Sequence, residues 1–373
     1  MKKIRITTTF EAINYGAVLQ TFALQQVVSE LCPNADVKVV NYRPLFTSKD
    51  LKIVRTQIGS GIKKILHALV DLSAYKIRKN RLNAFKEFRD EYLNLTEFYT
   101  EAQLIEKAMP VDCAISGSDQ IWNPNITDGV PNPIYFLQFA PENCKKVAYA
   151  SSMGEYKLTE PHREKVLSYL NGFDYLSVRE ATSAKLLQEA MGREVKTVLD
   201  PTLLLTAEEW SKYLKIDYDT KENYVFVMSA ANRSATQKLI KLAKSVAEQK
   251  KARLIIVGSE LPVEGATVLR DASPQKVVEL IANAAVVVTN SFHGTVFAVN
   301  FGKNLISVND FIRPGRKVDF LKQVGLYSHY RENLEEPIEE KDWVPDYTYA
   351  RPKLEELRQA SMEYLCQALN EFR

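Results

Sequence analysis

AVVVT at 285–289 runs directly into NSFHGT at 290–295. A short, wholly apolar run is the pattern of a strand buried on both faces, as in a parallel sheet. The segment after it opens a helix near His293, so the unit reads strand, tight turn, helix. Upstream, Ser273 is placed to cap a helix over Ser273–Asn283, with Pro274 at its first position. Downstream, Leu305–Val308 is the next apolar strand. Before these come strands at Tyr224–Ser229, Arg253–Val257 and Thr267–Leu269, with a helix over Ala235–Gln249. Alternation of this kind predicts a parallel sheet with helices on both faces.

The same rhythm occupies the first half of the chain. Strands are expected at Lys3–Thr9, Val37–Tyr42, Val111–Ser116, Lys146–Ala150, Tyr175–Val178 and Val195–Leu199. A helix is expected over Ala17–Leu31. The rhythm restarts after Asp200-Pro201. A chain of 373 residues is long enough for two domains. The expected division is 1–203, 204–346 and a closing segment 347–373 whose amphipathic helix, expected over Pro352–Phe372, carries Leu354, Leu357, Met362, Leu365 and Leu369 on its apolar face.

The formal charge of +3 is too small to mark a nucleic-acid binder, but it is unevenly spread. Residues 49–89 hold eleven Lys/Arg against three Asp/Glu, or +8, leaving −5 elsewhere. Within the insertion at 49–90, Ile62, Ile65, Leu66, Leu69 and Leu72 form an apolar stripe beside Lys63, Lys64 and His67. Two readings fit: a helix that approaches anionic lipid, or a soluble hairpin with a basic outer face. No apolar segment is long enough to span a bilayer, and MKKIRITTTF lacks the apolar core of a secretory signal. These features predict a cytoplasmic protein, peripheral on the inner membrane face under the lipid reading. Cys32, Cys113, Cys144 and Cys366, like the four histidines, are scattered without metal-ligand spacing.

Ligands of doubly wound sheets sit beyond the carboxyl ends of the strands, so the residues there carry the chemistry. After the first strand, Asn14, Tyr15 and Gly16 lead into a helix N-terminus suited to an anion or a sugar hydroxyl. The plainer reading of Asn14 is a helix cap. After 111–116, Gly117, Ser118, Asp119 and Gln120 precede Trp122, a combination of polar groups and an aromatic face suited to carbohydrate. After 175–178, Arg179 could clamp a carboxylate or phosphate, or simply pair with Glu180. Asp200, ahead of Pro201, reads as a turn or cap residue. The strongest cluster is Asn290, Ser291, His293, Gly294 and Thr295, where a titratable imidazole joins hydroxyls and helix amides. Arg313, Arg316 and Lys317 fall in a Gly/Pro loop that would complete an anion pocket.

NYGAVLQ at 14–20, GSDQIWNP at 117–124, SVRE at 177–180, VLDPTLLL at 198–205 and TNSFHGTVFA at 289–298 together resemble the polysaccharide pyruvyl transferase family. The five motifs occur in the family's order and span roughly residues 4–330. The resemblance implies an α/β, GT-B-like fold of two Rossmann-like domains, with the active site in the cleft between them and the C-terminal helix packed back on the first. It implies transfer of pyruvate from phosphoenolpyruvate to two hydroxyls of a sugar, forming a cyclic ketal. The setting it suggests is capsule or exopolysaccharide synthesis on a lipid-linked acceptor. The donor is a substrate, and no cofactor or metal is expected. His293, Arg179 and Asp119 become the catalytic candidates, with Arg316 added on the donor side. Many family members carry an acidic residue directly after Asn-x-Gly; Ala17 stands there instead. A nucleotide-sugar glycosyltransferase is the first competing reading, weakened by the absence of Glu from 280–331. A non-catalytic glycan-binding relative is the second.

Overall fold

The computed structural model describes residues 1–44, 53, 72, 74–107, 109–218, 222–230, 232–259, 261–309 and 315–373, with the side chains of Gly315 and Arg316 left aside. The apolar stripe and lysines at 62–69, Arg313 and the Arg316 side chain therefore lie outside the described residues. The chain divides into two units: Met1–Tyr75, Lys86–Leu204 and Leu357–Arg373 form the first; Lys76–Phe85 and Leu205–Glu356 form the second.

In the first unit β1 (Lys2–Thr7) leads into α1 (Tyr15–Leu31) and β2 (Ala35–Tyr42). Helix α2 (Tyr75–Tyr92), β3 (Leu95–Tyr99), α3 (Glu101–Glu106), β4 (Cys113–Ser116) and β5 (Lys145–Ala148) follow. All five strands run parallel in the order β3-β2-β1-β4-β5, the strand order of a Rossmann half. Helix α4 (Arg163–Leu170) precedes β6 (Ser177–Val178), and α5 (Ala181–Met191) precedes β7 (Lys196–Thr197). Single bridges from Val147 to Tyr175 and from Ser151 to Val178 carry the ladder from β5 towards β6. Ile4 and Ile6 of β1 are fully buried, as a central strand requires. Strand β3 is not evident from sequence because it is an edge: it leaves Phe98 52% exposed, and a register shift interrupts its pairing with β2.

The second unit repeats the plan. It contains α6 (Ala207–Leu214), β8 (Tyr224–Met228), α7 (Arg233–Lys250), β9 (Arg253–Val257), β10 (Thr267–Leu269), α8 (Pro274–Asn283) and β11 (Val286–Thr289). Then come α9 (Phe292–Asn300), β12 (Asn304–Val308), α10 (Gly315–Gln323) and β13 (Tyr330–Arg331). The parallel order is β10-β9-β8-β11-β12-β13. Val225, Val227, Val286, Val288 and Ile306 from three central strands pack with Leu239, Ala243 and Val246 of α7. Ser273 caps α8 by accepting from the Lys276 N–H, as expected.

The last helix, α11, runs over Tyr347–Ala368, starting earlier than the apolar spacing indicates. Its second half belongs to the first unit. There Ser361 Oγ accepts the Leu199 N–H at 3.0 Å and Tyr364 Oη donates to the Ala148 carbonyl at 2.8 Å. Two Rossmann-like units thus give the GT-B-like class expected from the sequence. Among the described residues, no helix is long and apolar enough to cross a membrane.

Candidate functional site

The carboxyl ends of β1 and β4 emerge side by side in the first unit, because Thr7 pairs with Ser116. Three consecutive threonines then hold three consecutive residues of the GSDQ motif. The Gly117 N–H donates to the Thr7 carbonyl at 2.9 Å. Thr8 Oγ1 donates to the Ser118 carbonyl at 2.9 Å, and Thr9 Oγ1 to Asp119 Oδ2 at 3.1 Å. Gln20 Nε2 donates to Thr8 Oγ1 at 2.9 Å, which ties the NYGAVLQ motif to the same ladder. Gly117 permits this close approach: a Cβ there would lie 3.0 Å from Thr8 Cβ and would press on the Thr8 side chain.

Below this ladder lies a sealed ionic network. Arg179 Nη1 donates to Asp200 Oδ2 at 2.7 Å and Nε to Glu180 Oε1 at 3.1 Å. Ser118 Oγ also donates to Asp200 Oδ2, and Ser152 Oγ to Glu180 Oε1. Burial alone would lower the Arg179 pKa. The charges of Glu180 and Asp200 outweigh it and hold the guanidinium charged, above its ordinary pKa. Arg179 is thus engaged with protein carboxylates, a buried version of the Arg–Glu pairing. Asp200 is both partner and cap, since its Oδ1 accepts from the Thr202 N–H and Oγ1.

Trp122 does not offer an aromatic face to a ligand. It is 1% exposed, stacked on Phe136 at 5.4 Å and edge-on to Phe173, with Nε1 donating to the Tyr135 carbonyl. Apolar neighbours on both sides of the motif drew the indole into the core. Asn14 is the helix cap of α1, accepting from the Gly16 and Ala17 N–H groups, while Tyr15 and Gly16 are buried. Gln120 is buried and accepts from Asn123 Nδ2. Asp119 remains half-buried at the edge.

Sequence reading missed Glu11, which is 1% exposed and accepts the Phe10 N–H on Oε2. Its carbonyl accepts from Arg89 Nη1. It also missed the threonine ladder. The run Thr7-Thr8-Thr9 at a strand end was the available signal.

In the second unit, β8 and β11 are adjacent and Thr289 pairs with Met228. Thr289 Oγ1 donates to the Met228 carbonyl and accepts the Ser291 N–H. Asn290 Oδ1 accepts the Ala230 N–H at 2.8 Å, and its Nδ2 donates to Ser229 Oγ. Ser291 caps α9 through the Gly294 N–H, and Thr295 Oγ1 donates to the Ser291 carbonyl. Gly294 has no substitute: a Cβ would sit 2.4 Å from Thr289 Oγ1. These contacts fix a turn that carries His293 in the first turn of α9, 7% exposed, its ring edge-on to Phe292 at 5.2 Å.

Lys317 is not part of a solvated loop. It lies in the first turn of α10, 1% exposed, and its ammonium donates to the carbonyls of Asn290 at 2.5 Å and Val308 at 2.6 Å. A buried ammonium needs such acceptors, and here they tie the end of β11 to the end of β12.

The two edges therefore differ in character. The first presents the Asp119 carboxylate above buried Glu180 and Asp200. The second gathers an imidazole, hydroxyls, an ammonium and the positive end of a helix. Among the described residues, no group of three or more His, Cys, Asp or Glu is placed to hold a metal ion.

The sequence model of the polysaccharide pyruvyl transferase family matches residues 14–310. No curated protein sequence matches the chain. Among solved structures, a UDP-GlcNAc 2-epimerase from Methanocaldococcus jannaschii superposes with a TM-score of 0.50 at 11% identity, covering 96% of this chain and 100% of its own. Arabidopsis thaliana UGT89C1 complexed with UDP gives 0.48 at 13% identity, covering 100% and 99%. A Thermobaculum terrenum O-GlcNAc transferase mutant gives 0.46 at 12% identity and covers 98% of this chain, which spans only 64% of that protein. At these identities the likeness concerns fold.

Proposed function

The chain belongs to the polysaccharide pyruvyl transferase family, and we propose on that footing that it moves pyruvate from phosphoenolpyruvate onto two hydroxyls of a sugar, closing a cyclic ketal. The observation that carries this reading is the contrast between the two strand edges. An anionic donor is matched by the second unit, where His293 stands at the positive end of α9 and the Lys317 ammonium, held on the Asn290 and Val308 carbonyls, adds positive charge at the same strand ends. A neutral hydroxyl nucleophile is matched by the first, where Asp119 offers a carboxylate.

In this mechanism His293 delivers a proton to the methylene carbon of phosphoenolpyruvate, leaving an oxocarbenium-like centre at C2. One sugar hydroxyl adds to C2 as Asp119 takes its proton. Phosphate then leaves, renewing the oxocarbenium-like centre at C2; the second hydroxyl closes the ring there and gives its proton to the phosphate, while the proton on Asp119 returns through solvent to His293. The positive end of α9 stabilises the phosphate as charge develops on it. Arg179 serves as a positioning residue, holding Asp200 and through it Ser118 beneath the acceptor edge. The acceptor in this proposal is a lipid-linked repeat unit of a capsule or exopolysaccharide.

The test is phosphate release from phosphoenolpyruvate in the presence of candidate acceptors. His293→Ala is expected to lose about 100-fold or more in turnover; near-normal turnover would remove His293 from the mechanism. A parallel melting series compares phosphoenolpyruvate with UDP-sugars. Stabilisation by the sugar nucleotide alone would favour glycosyl transfer instead.

A further inference from the structure

Asp119 is held at φ +71°, in the left-handed region that a non-glycine residue enters at some cost. Such a conformation persists only when its surroundings over-determine it, and here three bonds do so. The Ser152 N–H donates to the Asp119 carbonyl at 3.0 Å, the Gln120 N–H to Oδ1 at 2.9 Å, and Thr9 Oγ1 to Oδ2 at 3.1 Å. The first two are backbone donors. The third is the only one of them that comes from a side chain, and it reaches across 110 residues.

Thr9 is itself anchored. Its carbonyl accepts from Thr21 Oγ1 at 3.2 Å and from Gln20 Nε2 at 3.4 Å, both on the buried face of α1. Its hydroxyl is thereby aimed, while Thr9 and Asp119 both stay half-buried at the strand edge. Thr8, one residue earlier, spends its hydroxyl on a backbone carbonyl, and Thr9 spends its own on the reactive side chain. Residue 9 also lies before the stretch matched by the family, which begins at residue 14.

We propose that Thr9 is a positioning residue for Asp119, fixing Oδ2 while the Gln120 N–H holds Oδ1, so that the carboxylate keeps one orientation towards the acceptor hydroxyl. The catalytic part rests on the pyruvyl-transfer reading; the geometric part does not. Thr9→Val removes the hydroxyl at nearly constant shape, and Thr9→Ser retains it. In phosphate release from phosphoenolpyruvate with a panel of methyl hexosides, Thr9→Val is expected to lower kcat about 10- to 100-fold. The KM for phosphoenolpyruvate should be unchanged, and Thr9→Ser should restore the rate. On an Asp119→Asn background, Thr9→Val should cost nothing further. An equal loss on both backgrounds would overturn the proposal, since Thr9 would then act independently of Asp119.

Crystal structures of wild type and Thr9→Val decide the geometry without any assay. The Asp119 carboxylate is expected to swing away from its wild-type place in the variant. An unmoved carboxylate would overturn the proposal whatever the kinetics. If wild type releases no phosphate with any hexoside, the crystals alone judge the Thr9–Asp119 relation, and an unmoved carboxylate overturns it.

Discussion

Arg179 Nη1 meets Asp200 Oδ2 at 2.7 Å with 4% and 0% of the two side chains exposed. Breaking one side of such a pair strands the other charge without water. Arg179→Met is therefore expected to destabilise the first unit by about 3–5 kcal/mol, read by chemical denaturation. A loss of turnover in that variant without a loss of stability would instead mean that Arg179 touches substrate.

Gly294→Ala should be more damaging than its exposure-neutral chemistry implies. The new methyl would meet Thr289 Oγ1 at 2.4 Å, so the turn carrying His293 must open. Overpacking of this kind costs about 1–3 kcal/mol. Activity should fall further than stability, and a Thr289→Ser partner substitution, which keeps the clashing Oγ1, should recover little of either.

All three tryptophans, Trp122, Trp210 and Trp343, are fully buried. Emission from the native protein should be blue-shifted and poorly quenched by acrylamide, and added sugar should not alter it. Trp122→Ala should cost about 3–5 kcal/mol as a core deletion. Sugar-dependent quenching that disappears in a Trp122→Phe variant would contradict this burial.

Asp36 gives a pH dependence with a definite sign. Burial pushes its carboxyl up, but the hydrogen bond and charge of Arg5, aided by Lys38, outweigh it and hold the folded pKa below the ordinary value. A lowered folded pKa adds stability above the unfolded value, near about 3.9, and that stability is lost as pH falls through the folded value. Asp36→Asn should therefore melt below wild type at pH 7. The gap should close as the pH drops below about 4.

Elements with strong apolar patterns were legible in the sequence. Arg253–Val257 and Thr267–Leu269 match to the residue, and Ser273 caps its helix. Strand β3 escaped because an exposed edge needs no alternating pattern. At the site, the motifs pointed to the correct strand ends, but the sequence could not distribute roles among neighbours. Trp122 and Lys317 both looked like surface groups because their burial depends on partners far along the chain: Phe173 for one, the Asn290 carbonyl for the other. Glu11 and Thr9 lay unnoticed between motifs, since what matters about them is where β1 delivers them beside β4.

The two halves of α11 belong to different units, and this sets the order in which the protein can be completed. Ser361 and Tyr364 satisfy Leu199 and Ala148, and Lys145 pairs with Glu371. During synthesis the described strands of the second unit are all made before residue 357, whereas the first unit still lacks the helix that satisfies Leu199 and Ala148. The unit that begins first therefore depends on chain made after the other's sheet.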